Sequence, residues 1–151
     1  MLPRWHIILG SIFTAIIWYF VPGINWFFLS AIFLSSFLID FDHYLDSSIK
    51  TGNWSLFHSL EYHKKMIEKE NREIARGIRK KSGFHLFHTI EFHAFIGVLS
   101  IFFSLFFYIF LGMFFHSILD LISMTYSGKL HRREFFLFRW VRNSKNILSV
   151  N

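Results

Sequence analysis

Between Arg4 and Asp40 no residue carries a charge, apart from a protonated form of His6, and the run is interrupted once, by Pro22 and Gly23. Proline followed by glycine punctuates a tight turn. The pattern therefore predicts two apolar helices of about 15 to 17 residues, near the lower limit for crossing a bilayer at about 1.5 Å per residue. Trp5, Trp18, Tyr19 and Trp26 fall near the helix ends, where amphipathic rings favour the membrane interface. The first run lacks the small-residue cleavage site of a signal peptide and is expected to remain as a span. A second apolar region extends from Phe84 to Met124 and is uncharged from Ala94 to Phe115, so 94–110 reads as a span. Gly112 is expected to reverse the chain. The segment from Met113 to Thr125 contains His116 and Asp120 and should face other helices rather than lipid. The expected fold is all-α, a single polytopic membrane domain of four transmembrane helices in two hairpins. The spans are placed at 5–21, 24–40, 85–110 and 112–126, with a cytoplasmic segment at 41–84 and a cytoplasmic tail at 127–151.

Between the hairpins lies "EYHKKMIEKENREIARGIRKK", which has helix-forming composition and two favourable four-residue pairs, Glu61 with Lys65 and Glu68 with Arg72. Ile67, Ile74 and Ile78 give it a narrow apolar stripe, so it reads as a charged helix on the membrane surface. Composition agrees with a membrane protein: 53% of the residues are hydrophobic and 22 are phenylalanine, too few polar residues to cover a globule in water. The net charge of +6 raises the question of nucleic acid, and the positions of the charges answer it. Lys and Arg concentrate in the middle segment (Lys64 to Lys81) and the tail (Lys129 to Lys145), while the turns near Pro22 and Gly112 carry none. This is the positive-inside pattern of a multi-pass protein of the cell membrane with both termini cytoplasmic. Its basic surplus meets anionic lipid headgroups, and no nucleic acid is expected.

The polar residues left over converge. "LIDFDHYLD" puts Asp40, Asp42 and His43 at the cytoplasmic end of the second span. "FHLFHTIEFH" puts His85 and His88 in the first turns of the third, with Glu91 deeper. His116 and Asp120 are four apart on one helix face, about 15 and 9 Å above the exit near Tyr126. Ionisable groups inside membrane segments are costly and normally line a functional cavity, so these three segments point to a metal site. With no cysteine in the chain, the donors must be nitrogen and oxygen, a set that suits zinc first, then manganese or iron. The element "LFHTIEFH" at 86–93 nearly copies "LFHSLEYH" at 56–63. In each copy the two histidines are five apart, about 140° around a helix, so only the first, His88 or His58, is expected to ligate. Glu91 is read as a ligand, a general base or a partner that orients a histidine.

These segments resemble the family of membrane-bound metal-dependent hydrolases described as LexA-binding inner-membrane hydrolases. That family carries an Asp-x-Asp-His motif after a hydrophobic helix, matched by Asp40, Asp42 and His43. Its central histidine element is matched by His58 with Ser59 or by His88 with Thr89, without the family's His-Arg pair. Its late His-x-x-x-Asp followed by Thr and Gly is matched by His116, Asp120, Thr125 and Gly128. The resemblance is distantly shared with zinc-dependent phospholipase C and single-strand nucleases, and implies phosphoester hydrolysis by analogy.

The expected activity is hydrolysis of a phosphoester or other ester in a lipid-like substrate at the cytoplasmic membrane boundary. One or two metal ions would be held by Asp40, Asp42, His43, His85, His88, His116 and Asp120, with His58 as a further candidate, and Glu91 or Asp42 would take the proton of the attacking water. Arg132, Arg133 and Lys129 would either hold a phosphate or simply flank the membrane. Two other readings stay open. A di-iron membrane oxidase or hydroxylase would use histidine boxes, although this chain has no His-His pair. A scaffold would use the polar groups only to bond its helices together and would bind no metal.

Overall fold

The computed structural model describes residues 3–81 and 83–148; Ser82 of the middle segment and the last three residues of the tail lie outside them. It is all-α, and no strand occurs among the described residues. In chain order the helices are α1 (Pro3–Phe20), α2 (Trp26–Leu38), α3 (Phe41–Thr51), α4 (Leu56–Ala75), α5 (Ile90–Phe102), α6 (Ser104–Tyr126) and α7 (Leu137–Leu148). Two short 3-10 turns, Leu86–His88 and Leu130–Arg132, precede α5 and follow α6.

The turn predicted at Pro22 and Gly23 is present, with Gly23 at φ 89°, and Asn25 starts α2 by accepting the Phe27 N–H at 2.8 Å. The second apolar region divides differently from the expectation. Thr89 is extended and its hydroxyl accepts the Phe92 N–H, so α5 begins at Ile90 rather than at residue 85. The reversal lies at Phe103, a single extended residue at φ −136° and ψ 116°, and not at Gly112, which sits inside α6. Gly112 serves contact instead. A Cβ there would fall on Ser35 Oγ and the Ile32 carbonyl oxygen of α2. Gly10 plays the same part in α1, where a Cβ would fall on Ser36 Oγ. Small residues thus let α2 and α6 approach backbone to backbone, and let α1 close on the Ser36 side chain of α2.

Among the described residues one helix, α6, is long and apolar enough to cross a membrane, and only 22% of its most apolar window is buried within the protein. The pair α2 and α3 passes the same test when taken together, bent by 41°, while α1 and α5 are shorter apolar helices. Polar side chains outnumber apolar ones in the interior. The buried apolar side chains among the described residues are Leu29, Ile32, Ile39, Ile96 and Met113. His6, Ser36, Asp42, His88, Thr89, His116 and Asp120 head a longer buried polar set, whereas Ile12, Ile16, Phe95, Phe107 and Phe114 face outward.

The charged helix expected between the hairpins is present as α4, packed against α3 through Ser47 and Ser59, whose hydroxyls lie 2.6 Å apart. Its acidic positions hold the segment after α6. Arg132 donates to Glu73 at 2.6 Å and lies 3.6 Å from Glu70, while Lys80 pairs with Glu73 at 2.7 Å. Lys80 and Arg132 together hold the Glu73 carboxyl below its usual range.

Candidate metal centre

The bend between α2 and α3 sets the site. Asp40 stands at the N-cap position of α3, yet its side chain makes no cap hydrogen bond, so the carboxylate is not committed to the helix end. Helix register brings its partners level. α1 runs antiparallel to α2 and touches it at Gly10 and Ser36, so one turn toward the N-terminus on α1 meets one turn onward on α2, His6 against Asp40. The Gly112 contact puts His116 one turn further on beside Ser36, and Asp120 two turns on beside Asp40.

Two imidazoles and two carboxylates meet there. His88 Nε2, His116 Nε2 and Asp40 Oδ1 form a near-equilateral triangle of 3.3, 3.4 and 3.3 Å. Asp120 Oδ2 closes it at 3.7 Å from His116 and 3.9 Å from His88. A tetrahedral ion with bonds of 2.0–2.1 Å needs donors about 3.3 Å apart, so the buried cluster of Asp40, His88, His116 and Asp120 could hold a metal ion. Tautomers strengthen this. His116 Nδ1 lies 2.8 Å from the Ser36 carbonyl oxygen and must donate to it. His88 Nδ1 lies 3.1 Å from Asp42 Oδ2 and donates to that carboxylate. In the neutral rings both Nε2 atoms are then bare, and their lone pairs face each other across 3.3 Å. Only a cation, a metal ion or an added proton, reconciles that arrangement.

Asp42, expected both as a ligand and as a base, uses one oxygen to orient a histidine, while its buried Oδ1 has no hydrogen-bond partner. Its Oδ2 accepts from His88 Nδ1 and from the Phe87 backbone N–H, each at 3.1 Å. With His43 and His88 it forms a second, overlapping group. His43 is at the rim, its Nε2 3.6 Å from Asp40 Oδ1 and its side chain 32% exposed. His85 packs on His43 with ring centroids 3.7 Å apart and lies 3.8 Å from Asp42.

Two expected residues are elsewhere. Glu91 accepts the Leu137 and Phe138 backbone N–H groups at 3.0 and 3.4 Å and caps α7. The spacing His85, His88, Glu91 does not form one helical arc because only Glu91 is in α5. His58 is in the first turn of α4, near Glu61, and belongs to neither donor group among the described residues. The second histidines stay out of both groups too. His93 Nε2 pairs with Ser117 Oγ at 2.9 Å, and His63 Nε2 donates to the His43 carbonyl oxygen. Of the basic residues after α6, Arg133 donates to Asp120 Oδ2 at 2.7 Å, while Arg132 and Lys129 lie against Glu70.

Sequence reading missed His6. It is fully buried, stacks on His116 with centroids 3.9 Å apart and planes 17° apart, and puts Nε2 3.2 Å from Asp120 Oδ1. The signal was a single imidazole in an apolar helix with no charge beyond Arg4 in its first turn, one turn from the glycine at the helix crossing. Beside the cluster an apolar cleft of about 560 Å³ opens between α2, α5 and α6. It runs from Phe27 past Leu34 and Ile109 to Ile39 and Phe87, the chain neighbours of Asp40 and His88. No family model, curated protein or solved structure matches the chain.

Proposed function

We propose that the protein is a membrane-embedded, metal-dependent hydrolase that cleaves a phosphoester of a lipid-like substrate at the cytoplasmic boundary. The observation that carries the reading is the pair of bare imidazole nitrogens of His88 and His116 facing each other beside Asp40 and Asp120. In this reading α1, α2, α5 and α6 form the two membrane hairpins. α5 rises only about 20 Å, and the turn before it completes the crossing. The basic segments around α4 and after α6 stay in the cytoplasm, as the positive-inside pattern requires. The resemblance to membrane-bound metal-dependent hydrolases supports the same reading.

A divalent ion, zinc before manganese or iron, would polarise the scissile oxygen and lower the pKa of a bound water. The chain supplies the rest. Asp42 and the Ser36 carbonyl hold His88 and His116 in the tautomers that leave Nε2 free. His43, the most exposed imidazole beside Asp40, is placed to accept the proton of the attacking water. Arg133, hydrogen-bonded to Asp120, brings fixed positive charge to the position of a phosphoryl oxygen. The apolar cleft ending at Ile39 and Phe87 suits a substrate whose hydrocarbon chain stays in the membrane.

The test is metal content and turnover together. Protein purified in detergent without chelator is expected to carry stoichiometric metal and to cleave a lipid phosphodiester in mixed micelles. His88→Ala and Asp120→Asn should lose both properties, whereas His43→Ala should keep the metal and lose turnover. Metal-free wild-type protein that stays folded would refute the proposal, and a coupled di-iron spectrum with oxygen uptake would redirect it to oxidation.

A further inference from the structure

We propose a second cation position on the opposite side of the same two carboxylates, held by His6, so that Asp40 and Asp120 each bridge two ions. This rests on the metal-centre reading above and adds a donor from a different helix. The carboxylates divide their oxygens between two sets of imidazoles. Asp40 Oδ1 faces His88 and His116 at 3.3 and 3.4 Å, while its Oδ2 faces His6 Nε2 at 4.0 Å. Asp120 Oδ2 faces His116 and His88 at 3.7 and 3.9 Å, while its Oδ1 faces His6 Nε2 at 3.2 Å.

His6 has no other work. It is 0% exposed, and neither ring nitrogen has a hydrogen-bond partner, a condition rare for a buried polar group. Its parallel stack on His116 holds the ring plane so that Nε2 points at the carboxylate oxygens and not into lipid. The donor counts are complementary. The first position has four protein donors and takes a water only as a fifth ligand, whereas His6, Asp40 and Asp120 make three and leave a place for water or substrate, as hydrolytic sites do. Two ions sharing bridging carboxylates lie about 3.5–4 Å apart, a spacing that clamps the attacking and leaving oxygens of a phosphoryl group. Two divalent ions and the Arg133 guanidinium exceed the charge of Asp40, Asp42 and Asp120, so the site favours an anionic ligand, and a phosphate ester is one that also fits a two-ion clamp.

Metal-stripped protein in detergent is titrated with Mn²⁺, the bound ions are counted after gel filtration, and exchange coupling is read by electron paramagnetic resonance. Wild type is expected to bind two ions per chain with a coupled signal. His6→Ala is expected to bind one with an uncoupled signal, at unchanged helicity and elution volume. One ion per chain in the wild type, or two retained in His6→Ala, would overturn the second position and leave the first standing. No bound ion in the wild type would remove both. The wild-type count and coupling decide the matter even if the variant fails to fold.

Discussion

Replacing Gly112 by alanine should disturb the metal centre from a distance, through helix packing alone. The new Cβ would fall on Ser35 Oγ and the Ile32 carbonyl oxygen, and the second of these is backbone, which cannot rotate away. α2 and α6 must then separate locally. Overpacking of this kind costs about 1–3 kcal/mol, against which the better helix propensity of alanine returns at most about 1. The centre shares the strain, because His116 lies one turn beyond Gly112 and its 2.8 Å hydrogen bond ends on Ser36, next to the displaced Ser35. Donor geometry tolerates only about 0.5 Å of error, so ion affinity should fall at least tenfold. Gly97→Ala is the control. Its Cβ would meet only the Phe110 ring, at 3.6 Å, an ordinary contact, and should leave stability and affinity unchanged or slightly improved. Stability would be read by denaturant titration in mixed micelles, and affinity by calorimetric titration with Zn²⁺. Equal behaviour of the two variants would refute the close crossing and the coupling argued from it.

Chelation should destabilise the wild type by about 2.7 kcal/mol relative to protein held at an ion concentration 100 times the dissociation constant, with little change in His88→Ala, as thermal unfolding in detergent would show. Glu91→Ala should keep its metal, lose about 1 kcal/mol of helix capping at α7 and speed proteolytic cleavage after Phe135; loss of metal would instead return Glu91 to the site. His58→Ala should leave metal content unchanged, checked by elemental analysis. The lowered pKa of Glu73 means that its folded form favours the carboxylate. Its contribution is therefore present above the ordinary value near 4.5 and fades as pH falls through the folded value. Exposure of Arg132 to a guanidine-modifying reagent should rise over that acid range, and a flat profile would count against the Glu73 clamp.

The donors were legible in the sequence where cost made them conspicuous. Asp40, His88, His116 and Asp120 are ionisable groups in or beside apolar runs, and the structure brings these four together. The paths to them were less legible. Thr89 ends the lead-in to α5 by capping, so His88 enters from a 3-10 turn rather than from a helix face. In the near-copy at 56–63, helix α4 starts at Leu56, and the corresponding hydroxyl, Ser59, is drawn to Ser47. The same written pattern thus takes two conformations, decided by what each hydroxyl meets. The reversal at Phe103 left no trace because one extended residue needs neither proline nor glycine, whereas Gly112, which looked like punctuation, is a contact surface. The place of Glu91 was hidden for a related reason. Its role depends on α7, which follows it by more than forty residues and approaches only in the folded chain.

The residues gathered around the two carboxylates come from α1, from the hinge after α2, from the turn before α5 and from α6. Every apolar element of the chain therefore has one hand on the same knot. In the membrane reading proposed above, helices that have entered a bilayer gain little from hiding apolar surface against one another, and the polar centre would then fasten the bundle. If that centre is completed by a cation, the ion arrives as the last component of assembly. A newly inserted chain would remain a loose set of hairpins, open to quality-control proteases, until the ion is delivered, and its abundance would track the metal supply of the cell.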